Sequence, residues 1–255
     1  MKRARILTAL FIVIGSSQMA QAEDTLDIVM KADSLLIGTK IYSVSEMTVF
    51  RSDKARPTMK VETYSMAKSG TDHSLTVYKE PARMRGTAYL MIGDDLWVKF
   101  GSTGRTRKLR SSAKKNSAGG TDFSYADMGE SSQGISYKYN VIMENSNVTV
   151  AGNTCYEISL HPKAGTEGFY EKLTAFITHD NYHYLRIDYY EDGANIKTLT
   201  FSDYRKIGQK EYPYRMVMVN HTKPSRTEVV TGAIEFDSSR VQDRFFTSSY
   251  LAGIK

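Results

Sequence analysis

The sequence predicts a mainly β protein that folds as one domain, with its strands curled into a barrel or a sandwich. From about residue 41 onward, short runs of alternating polarity are separated by Gly, Asp and Asn. Roughly ten such runs follow one another, which is the spacing of an all-β fold. No Pro-rich linker or shift in composition divides the chain, so a single domain is expected.

One amphipathic helix is predicted ahead of the strands. Asp24 and Thr25 are suitable capping residues, and Gly38 marks the expected end of the helix. Between them, apolar residues recur near helical spacing at Leu26, Val29, Met30, Leu35 and Leu36.

The first strands follow this helix. Residues 45–50 and 58–64 each alternate in polarity, and the break between them contains Asp53 and Pro57, which predicts two antiparallel strands. Residues 91–98 and 189–201 each place a turn between apolar runs, so both segments predict hairpins.

Residues 1–22 have the features of a secretory signal peptide. Basic residues at the start and an apolar run over residues 6–14 lead to Ala20-Gln21-Ala22, an A-x-A cleavage site. The run is too short to span a bilayer. Cleavage leaves residues 23–255 as the folded, exported domain. It also removes three basic residues and lowers the formal net charge from +6 to +3, so charge alone does not indicate nucleic-acid binding.

The single cysteine, Cys155, lies far from the cleavage site. It cannot carry a lipid anchor at the mature N-terminus or form an internal disulfide. Its segment, residues 155–160, alternates in polarity, which favours a buried small hydrophobe over a reactive thiol.

Tyrosine and methionine are abundant, with 17 tyrosines and 12 methionines in the chain. Both residue types make adaptable apolar surfaces. They serve either as ordinary core packing or as the lining of an internal cavity for acyl chains. The candidate lining residues in predicted strands are Tyr42, Met47, Met59, Tyr64, Tyr89, Met91, Met216 and Met218.

Residues 104–116 carry six positive charges in a Gly/Ser-rich context. The segment is expected to end a strand and to continue as a mobile loop. It is either simply solvated or a contact for anionic headgroups or an acidic partner. Without aromatic residues, it does not resemble a single-stranded nucleic-acid site. The candidate contact residues are Arg105, Arg107, Lys108 and Arg110.

No catalytic or metal-binding pattern emerges. The five histidines follow no triad pattern, and the chain has no G-x-S-x-G elbow, Walker-type loop or dinucleotide fingerprint. His179 and His183 flank a normal turn dipeptide and lack a third spaced ligand, so they are a weak metal signal. We therefore expect no enzyme, no cofactor and no metal site.

Three segments carry a family resemblance. They are Trp97-Val98-Lys99-Phe100-Gly101, then Arg107-Lys108-Leu109, then Gly120-Thr121-Asp122-Phe123-Ser124-Tyr125-Ala126-Asp127-Met128. In order and spacing they resemble the LolA-like outer membrane lipoprotein-sorting protein family. Residues 152–156, 189–193 and 241–247 also look like family positions. The chain departs from the family pattern at Lys99, Gly101, Thr121 and Ala126, where Tyr, Pro, Ser and Glu are expected.

The resemblance implies an incomplete, strongly curved antiparallel barrel with helices as a lid over its concave apolar face. It also implies a periplasmic carrier that moves the acyl chains of a lipoprotein or lipid toward the outer membrane. Such a carrier would contact membranes transiently and could receive its cargo from an inner-membrane transporter. Trp97, Phe123 and Tyr125 would belong to the cavity or its rim. The alternative is an accessory protein that carries nothing and docks on a membrane transporter through the basic segment.

Overall fold

The computed structural model describes residues 23–129, 134–166 and 169–255. The predicted signal peptide, residues 1–22, lies outside the described residues. Within these ranges, no helix combines the length and the apolar character needed to cross a membrane.

The described ranges contain four α-helices and fourteen strands. The helices are α1 (Thr25–Leu36), α2 (Tyr125–Gly129), α3 (Ile135–Lys138) and α4 (Ser248–Gly253). The first seven strands are β1 (Lys40–Arg51), β2 (Lys54–Ala55), β3 (Met59–Lys68), β4 (Thr71–Glu80), β5 (Ala88–Ile92), β6 (Asp95–Lys99) and β7 (Thr106–Leu109). The others are β8 (Tyr139–Val150), β9 (Asn153–Pro162), β10 (Lys172–Thr178), β11 (Tyr184–Glu191), β12 (Ala194–Ile207), β13 (Lys210–Asn220) and β14 (Ser225–Phe236).

All fourteen strands belong to one antiparallel sheet. Its order is β7-β6-β5-β4-β3-β1-β14-β13-β12-β11-β10-β9-β8, with β2 paired to β1. The strands β7 and β8 are the two edges, so the curved sheet does not close into a barrel. This confirms the mainly β fold with an incomplete barrel that the family resemblance implied. The predicted hairpins are also confirmed as β5–β6 and β11–β12.

Helix α1 forms where the sequence predicts it. The Asp24 carboxylate accepts a hydrogen bond from the Leu26 backbone N–H at 3.2 Å, which caps the first turn. One face of the helix buries Ile28, Val29 and Ala32 in the core of the concave side. At the other end, Lys210 donates to the carbonyl of Ser34 at 2.7 Å and to that of Ile37, so β13 secures the end of the helix.

The convex face of β3 to β6 is also covered. The C-terminal segment packs Phe245, Phe246 and Leu251 on this face, against Leu75 and Leu90 of the strands. Because both faces are buried here, apolar side chains point to both sides of the same strands.

The basic segment is more ordered than the sequence suggested. Residues 106–109 form the edge strand β7, and residues 111–115 form a 3₁₀ helix. Lys114 is only 1% exposed, and its ammonium lies 5.5 Å from the centre of the Phe169 ring. Strand β7 agrees with the expected end of a strand, whereas residues 111–115 form a short helix in place of the expected loop, because Lys114 packs into the fold.

Candidate functional site

A cavity of about 260 Å³ lies between the concave face of the sheet and the elements that cover it. Leu36 of α1, Ile135 of α3 and the side chains of Phe123 and Met128 form the cover. The floor comes from β1, β3 and β4 on one side and from β11 to β14 on the other. The helices and the 120–128 segment thus act as a lid over the sheet.

The floor of the cavity is apolar on one side. Strands β11 to β14 contribute large apolar side chains to this half. They are Ile187, Tyr189, Leu199, Phe201, Met216 and Val229. This half offers dispersion contacts and no charged group, which suits an alkyl chain.

The other side of the floor carries hydroxyl groups. Strands β1, β3 and β4 present Ser43, Ser45, Thr63, Ser65 and Thr76 to the cavity. The hydroxyls of Thr63 and Thr76 bond to each other at 3.2 Å. The cavity therefore has an apolar side and a side on which hydroxyls stand among the apolar side chains of Ile41, Met47 and Val61, called the hydroxyl half below.

The 120–128 segment is held by a reciprocal cap at the start of α2. The Ser124 backbone N–H donates to the Asp127 carboxylate at 2.6 Å, and the Asp127 N–H donates to the Ser124 hydroxyl at 3.1 Å. This is the arrangement of a capping box, with Asp in place of the usual Glu. It fixes the short helix that carries Met128 to the cavity.

Asp127 also anchors this segment to the wall of the sheet. The Lys197 ammonium on β12 donates to the Asp127 carboxylate, and the Tyr170 hydroxyl donates to the second oxygen at 2.8 Å. The side chains of Lys197 and Asp127 are only 6% and 3% exposed. Burial and the neighbouring Asp127 raise the pKa of Tyr170, which therefore stays a neutral donor.

Asp122 makes a second anchor on β14. Its carboxylate accepts hydrogen bonds from the Ser225 hydroxyl and from the Thr227 hydroxyl, the latter at 2.8 Å. Arg51 of β1 donates to the Gly120 carbonyl at 3.0 Å. The acidic residues of the segment thus fix its position, and Phe123 between them is placed over the cavity.

Asp33 joins α1 to α3 at the edge of the cavity. Its carboxylate accepts hydrogen bonds from the Ser136 backbone N–H at 2.9 Å and from the Tyr184 hydroxyl at 2.8 Å. The residue is 2% exposed, and burial raises the pKa of its carboxyl group despite these bonds. Asp33 carries no functional signal in the sequence, because an acidic residue in an amphipathic helix normally faces solvent.

The predicted lining residues separate into three groups. Met47, Phe123 and Met216 line the cavity. A second group belongs to the same concave core or packs on it without lining the cavity, and comprises Met59, Tyr89, Met91, Tyr125 and Met218. Within this group the Tyr89 and Tyr125 rings meet edge to face at 4.9 Å.

Tyr42, Tyr64 and Trp97 form the third group, and the sequence-based placement of these three residues was incorrect. They lie on the opposite face of the sheet, against the cluster that contains Phe245 and Phe246. Tyr42 and Tyr64 are directly paired across β1 and β3, with ring centres 5.1 Å apart. The covered convex face gives them an apolar environment that sequence alternation cannot distinguish from the cavity.

The predicted contact residues lie at one edge of the sheet. Arg105, Arg107, Lys108 and Arg110 are all exposed on or beside β7. Lys108 pairs with Asp95 at 2.7 Å and lies over the Trp97 ring at 5.0 Å. The other three extend a positively charged rim along the free edge of the strand.

His179 and His183 are directed to different partners. His179 stacks on Tyr156 and bonds the Ser146 carbonyl at 2.8 Å, whereas His183 stacks on Tyr204 and bonds Glu211 at 2.6 Å. Across the described residues, no group of three or more His, Cys, Asp or Glu side chains could hold a metal ion.

Two residues that depart from the family pattern, Lys99 and Ala126, are both buried in the structure. Lys99 is buried on the convex side, where its ammonium donates to the carbonyls of Ala252, at 2.8 Å, and Ile254. Ala126 is 1% exposed and belongs to the concave core. The side chain at position 126 therefore packs inside this protein and is not available at its surface.

Comparisons with known proteins agree with this architecture. A family profile described as an uncharacterized protein matches residues 70–253, and no curated protein matches the chain. A DUF1329 family protein from Desulfovibrio piger has 26% identity and a TM-score of 0.81, covering 89% of this chain and 97% of its own.

Two further structures share the fold. One is named as an outer membrane lipoprotein-sorting protein domain, from Vibrio parahaemolyticus, with 24% identity and a TM-score of 0.78 over 89% of this chain and 98% of its own. The other is a LolA superfamily protein from Nitrosomonas europaea, with 19% identity and a TM-score of 0.74 over 90% of this chain and 100% of its own. The chain therefore belongs to the family that the matching profile describes, and the fold that the LolA-like resemblance implied is confirmed.

Proposed function

We propose that this protein is a carrier that binds an acyl chain of a lipoprotein or lipid in the cavity under its lid. The observation that carries the proposal is the cavity itself, with apolar residues of β11 to β14 on its floor and Leu36, Phe123 and Ile135 above. Each methylene group hidden from water is stabilised by about 0.8 kcal/mol. A site of this kind binds and releases its ligand and performs no chemistry on it.

The size of the cavity limits what it holds in this conformation. Its volume of about 260 Å³ is close to the lower end of the roughly 300–1,000 Å³ found for small-molecule sites. One chain at a time fits such a space better than several. Larger cargo requires α1, α3 and the 120–128 segment to move away from the sheet.

We place this carrier in the periplasm and its cargo on the way to the outer membrane. The signal-peptide features of residues 1–22 and the LolA-like fold support this. Loading by an inner-membrane transporter and transient contact with membranes follow from the same proposal, because an acyl chain must enter from one bilayer and leave into another.

Lipid extraction and native mass spectrometry of protein purified from the periplasm test the carrier function. Val229→Trp fills the cavity from its floor, whereas Val230→Trp places the same side chain on the opposite, exposed face of β14. We expect bound lipid with wild type and Val230→Trp, and none with Val229→Trp. Wild-type protein that never carries lipid and shows no affinity for acyl chains would contradict the proposal.

A second candidate function is docking on a membrane transporter without cargo. The exposed Arg105, Arg107 and Arg110 beside the free edge strand β7 favour it, because a charged rim next to unpaired backbone groups suits an acidic partner. Reversal of Arg105, Arg107, Lys108 and Arg110 to Glu should abolish capture of the transporter and leave lipid content unchanged. Capture that survives the reversal excludes this candidate.

A further inference from the structure

The hydroxyl half of the cavity has a regular arrangement. Ser43 of β1 lies directly opposite Thr63 of β3, which lies directly opposite Thr76 of β4. Directly opposite residues of antiparallel strands share a face. Because neighbouring strands are about 4.8 Å apart, this row of three hydroxyls spans about 10 Å across the cavity floor.

Further hydroxyls extend the row along and across the strands. Ser45 and Ser65 each lie two residues beyond a member of the row and also line the cavity. Across β1 and β14, Ser45 is opposite Thr231, which is only 3% exposed. These residues belong to four adjacent strands, so they form one continuous polar patch.

Most of these hydroxyls have unused hydrogen-bonding capacity. Thr63 and Thr76 bond each other, but within the described part of the chain no side-chain hydrogen bond engages Ser43, Ser45 or Ser65. The Thr231 hydroxyl is buried without a partner among the described residues. A buried hydroxyl left unpaired destabilises the folded protein. Thr231 lies next to the lining, whereas Ser43 and Ser45 are partly buried residues of the lining, so their hydroxyls are open to a ligand in the cavity.

The charges around the cavity limit the kind of polar group that can bind. The described lining contains Asp33 and Asp127 and neither lysine nor arginine. Asp127 is paired with Lys197, whereas Asp33 is surrounded by hydrogen-bond donors without a cation in the contacts described. An anionic headgroup would meet no positive charge from the lining, so a neutral group that accepts and donates hydrogen bonds fits better.

We infer that the cavity recognises a neutral acylglycerol-type lipid. Its acyl chain lies on the apolar half, and its ester carbonyl and glycerol hydroxyls bond the row from Ser43 to Thr76. This inference rests on the proposed carrier function and specifies its ligand. It adds a polar recognition element to a site that would otherwise select only for chain length.

Three ligands with the same ten-carbon chain test the inference on the purified wild-type protein. Monodecanoylglycerol carries the neutral polar group, decane has none, and decanoate is anionic. Displacement of a bound fluorescent dye reports each affinity. We expect monodecanoylglycerol to bind at least about ten-fold tighter than decane, which corresponds to about 1.4 kcal/mol, and tighter than decanoate.

The variant Ser43→Ala/Ser45→Ala removes two hydroxyls without leaving a hydrogen-bond partner unpaired. It should keep the wild-type affinity for decane and lose most of the preference for monodecanoylglycerol. Leu199→Ala, in the apolar half, is the matched control and should lower the affinity for decane and for monodecanoylglycerol by a similar factor. Ser45→Ala alone provides the same readout if the double variant does not fold.

The outcomes separate this inference from the carrier function. If decane binds but monodecanoylglycerol has no advantage, or if the advantage survives in the serine variant, the inference is wrong and the carrier function stands. Tighter binding of decanoate than of monodecanoylglycerol also overturns it. If no ligand binds wild-type protein, both proposals fail.

Discussion

Lys197 and Asp127 form a buried ion pair that connects β12 to the short helix above the cavity. Asp127 receives two further hydrogen bonds, from the Ser124 backbone N–H and the Tyr170 hydroxyl. The pair thus lies where the lid meets the wall of the cavity. Its contribution to stability and to the position of the lid can be measured.

Lys197→Met should destabilise the protein by about 3–5 kcal/mol, because it leaves the Asp127 carboxylate buried without a cation. Urea denaturation measures the loss. Lys197→Met/Asp127→Asn should recover part of it. The control is Lys115→Met, which breaks the exposed pair with Glu191 and should cost less than about 1 kcal/mol. If Lys197→Met and Lys115→Met lowered the free energy of unfolding equally, burial of the Lys197–Asp127 pair would not explain its contribution to stability.

Gly134→Ala should loosen the contact between α1 and α3. Gly134 has φ = +81°, and a Cβ there would lie 2.7 Å from the Cβ of Asp33. Gly152 has the same φ of +81° but no atom within 4 Å of such a Cβ. Gly152→Ala therefore measures the cost of a positive φ in open space, about 1–2 kcal/mol, whereas Gly134 combines its positive φ with ψ = 166°, a region that is essentially restricted to glycine. We expect Gly134→Ala to lower the free energy of unfolding by clearly more than that control. A similar loss in both variants would show that the Asp33 contact adds nothing.

Asp33 should make stability depend on pH. Burial raises the pKa of its carboxyl group above the ordinary value of 3.8, so the folded protein binds this proton more tightly than the unfolded chain. The carboxyl group of Asp33 makes its full contribution to the free energy of unfolding below about pH 3.8. This contribution is lost as the pH rises through the pKa of the folded state.

Asp33→Asn tests this dependence, because the amide cannot ionise. The free energy of unfolding of the variant relative to wild type should increase as the pH is raised from about 3 to about 7. Asp27→Asn removes an exposed carboxylate from the same helix and serves as the control. If the free energy of unfolding of Asp33→Asn relative to wild type fell with rising pH, the predicted effect of the Asp33 carboxyl group would be wrong.

Lys99→Met should release the C-terminal helix from the convex face. The Lys99 ammonium is the donor to the carbonyls of Ala252 and Ile254, and methionine keeps the length of the side chain without the charge. Hydrogen exchange of amides in α4, such as that of Leu251, should become faster. Lys79→Met, which removes an exposed ammonium paired with Glu62, should leave this exchange unchanged. Unchanged exchange in Lys99→Met would mean that apolar packing alone holds α4.

Local signals in the sequence predicted much of the fold. The Asp24 cap of α1 and the turns of the β5–β6 and β11–β12 hairpins are read within a few residues. Such features arise from contacts between near neighbours in the chain. The predicted apolar face of α1 is only partly correct, because Leu26 and Met30 are exposed. The 120–128 segment was also recognised, although its acidic residues proved to be anchors for the segment.

The location of the candidate site was harder to predict. The alternation of β1 shows that Tyr42 and Ser43 lie on opposite faces, but it does not show which face encloses the cavity. Tyr42 and Tyr64 are candidate lining residues because they lie in predicted strands, and Trp97 because of the family resemblance, but all three pack on the opposite face. The C-terminal segment covers the other face, and its packing on the strands depends on contacts between residues far apart in the sequence.

The sequence by itself determined the helix, the strands, their hairpins and the family. Tertiary structure alone decided which strand face lines the cavity, which charges are buried and which hydroxyls meet. The pairing of β1 with β14 brings Ser45 beside Thr231, and the pairing of β1 with β3 brings Ser43 beside Thr63. The physical reason is that alternation records the two faces of a strand equally, whereas burial depends on what the folded chain lays over each face.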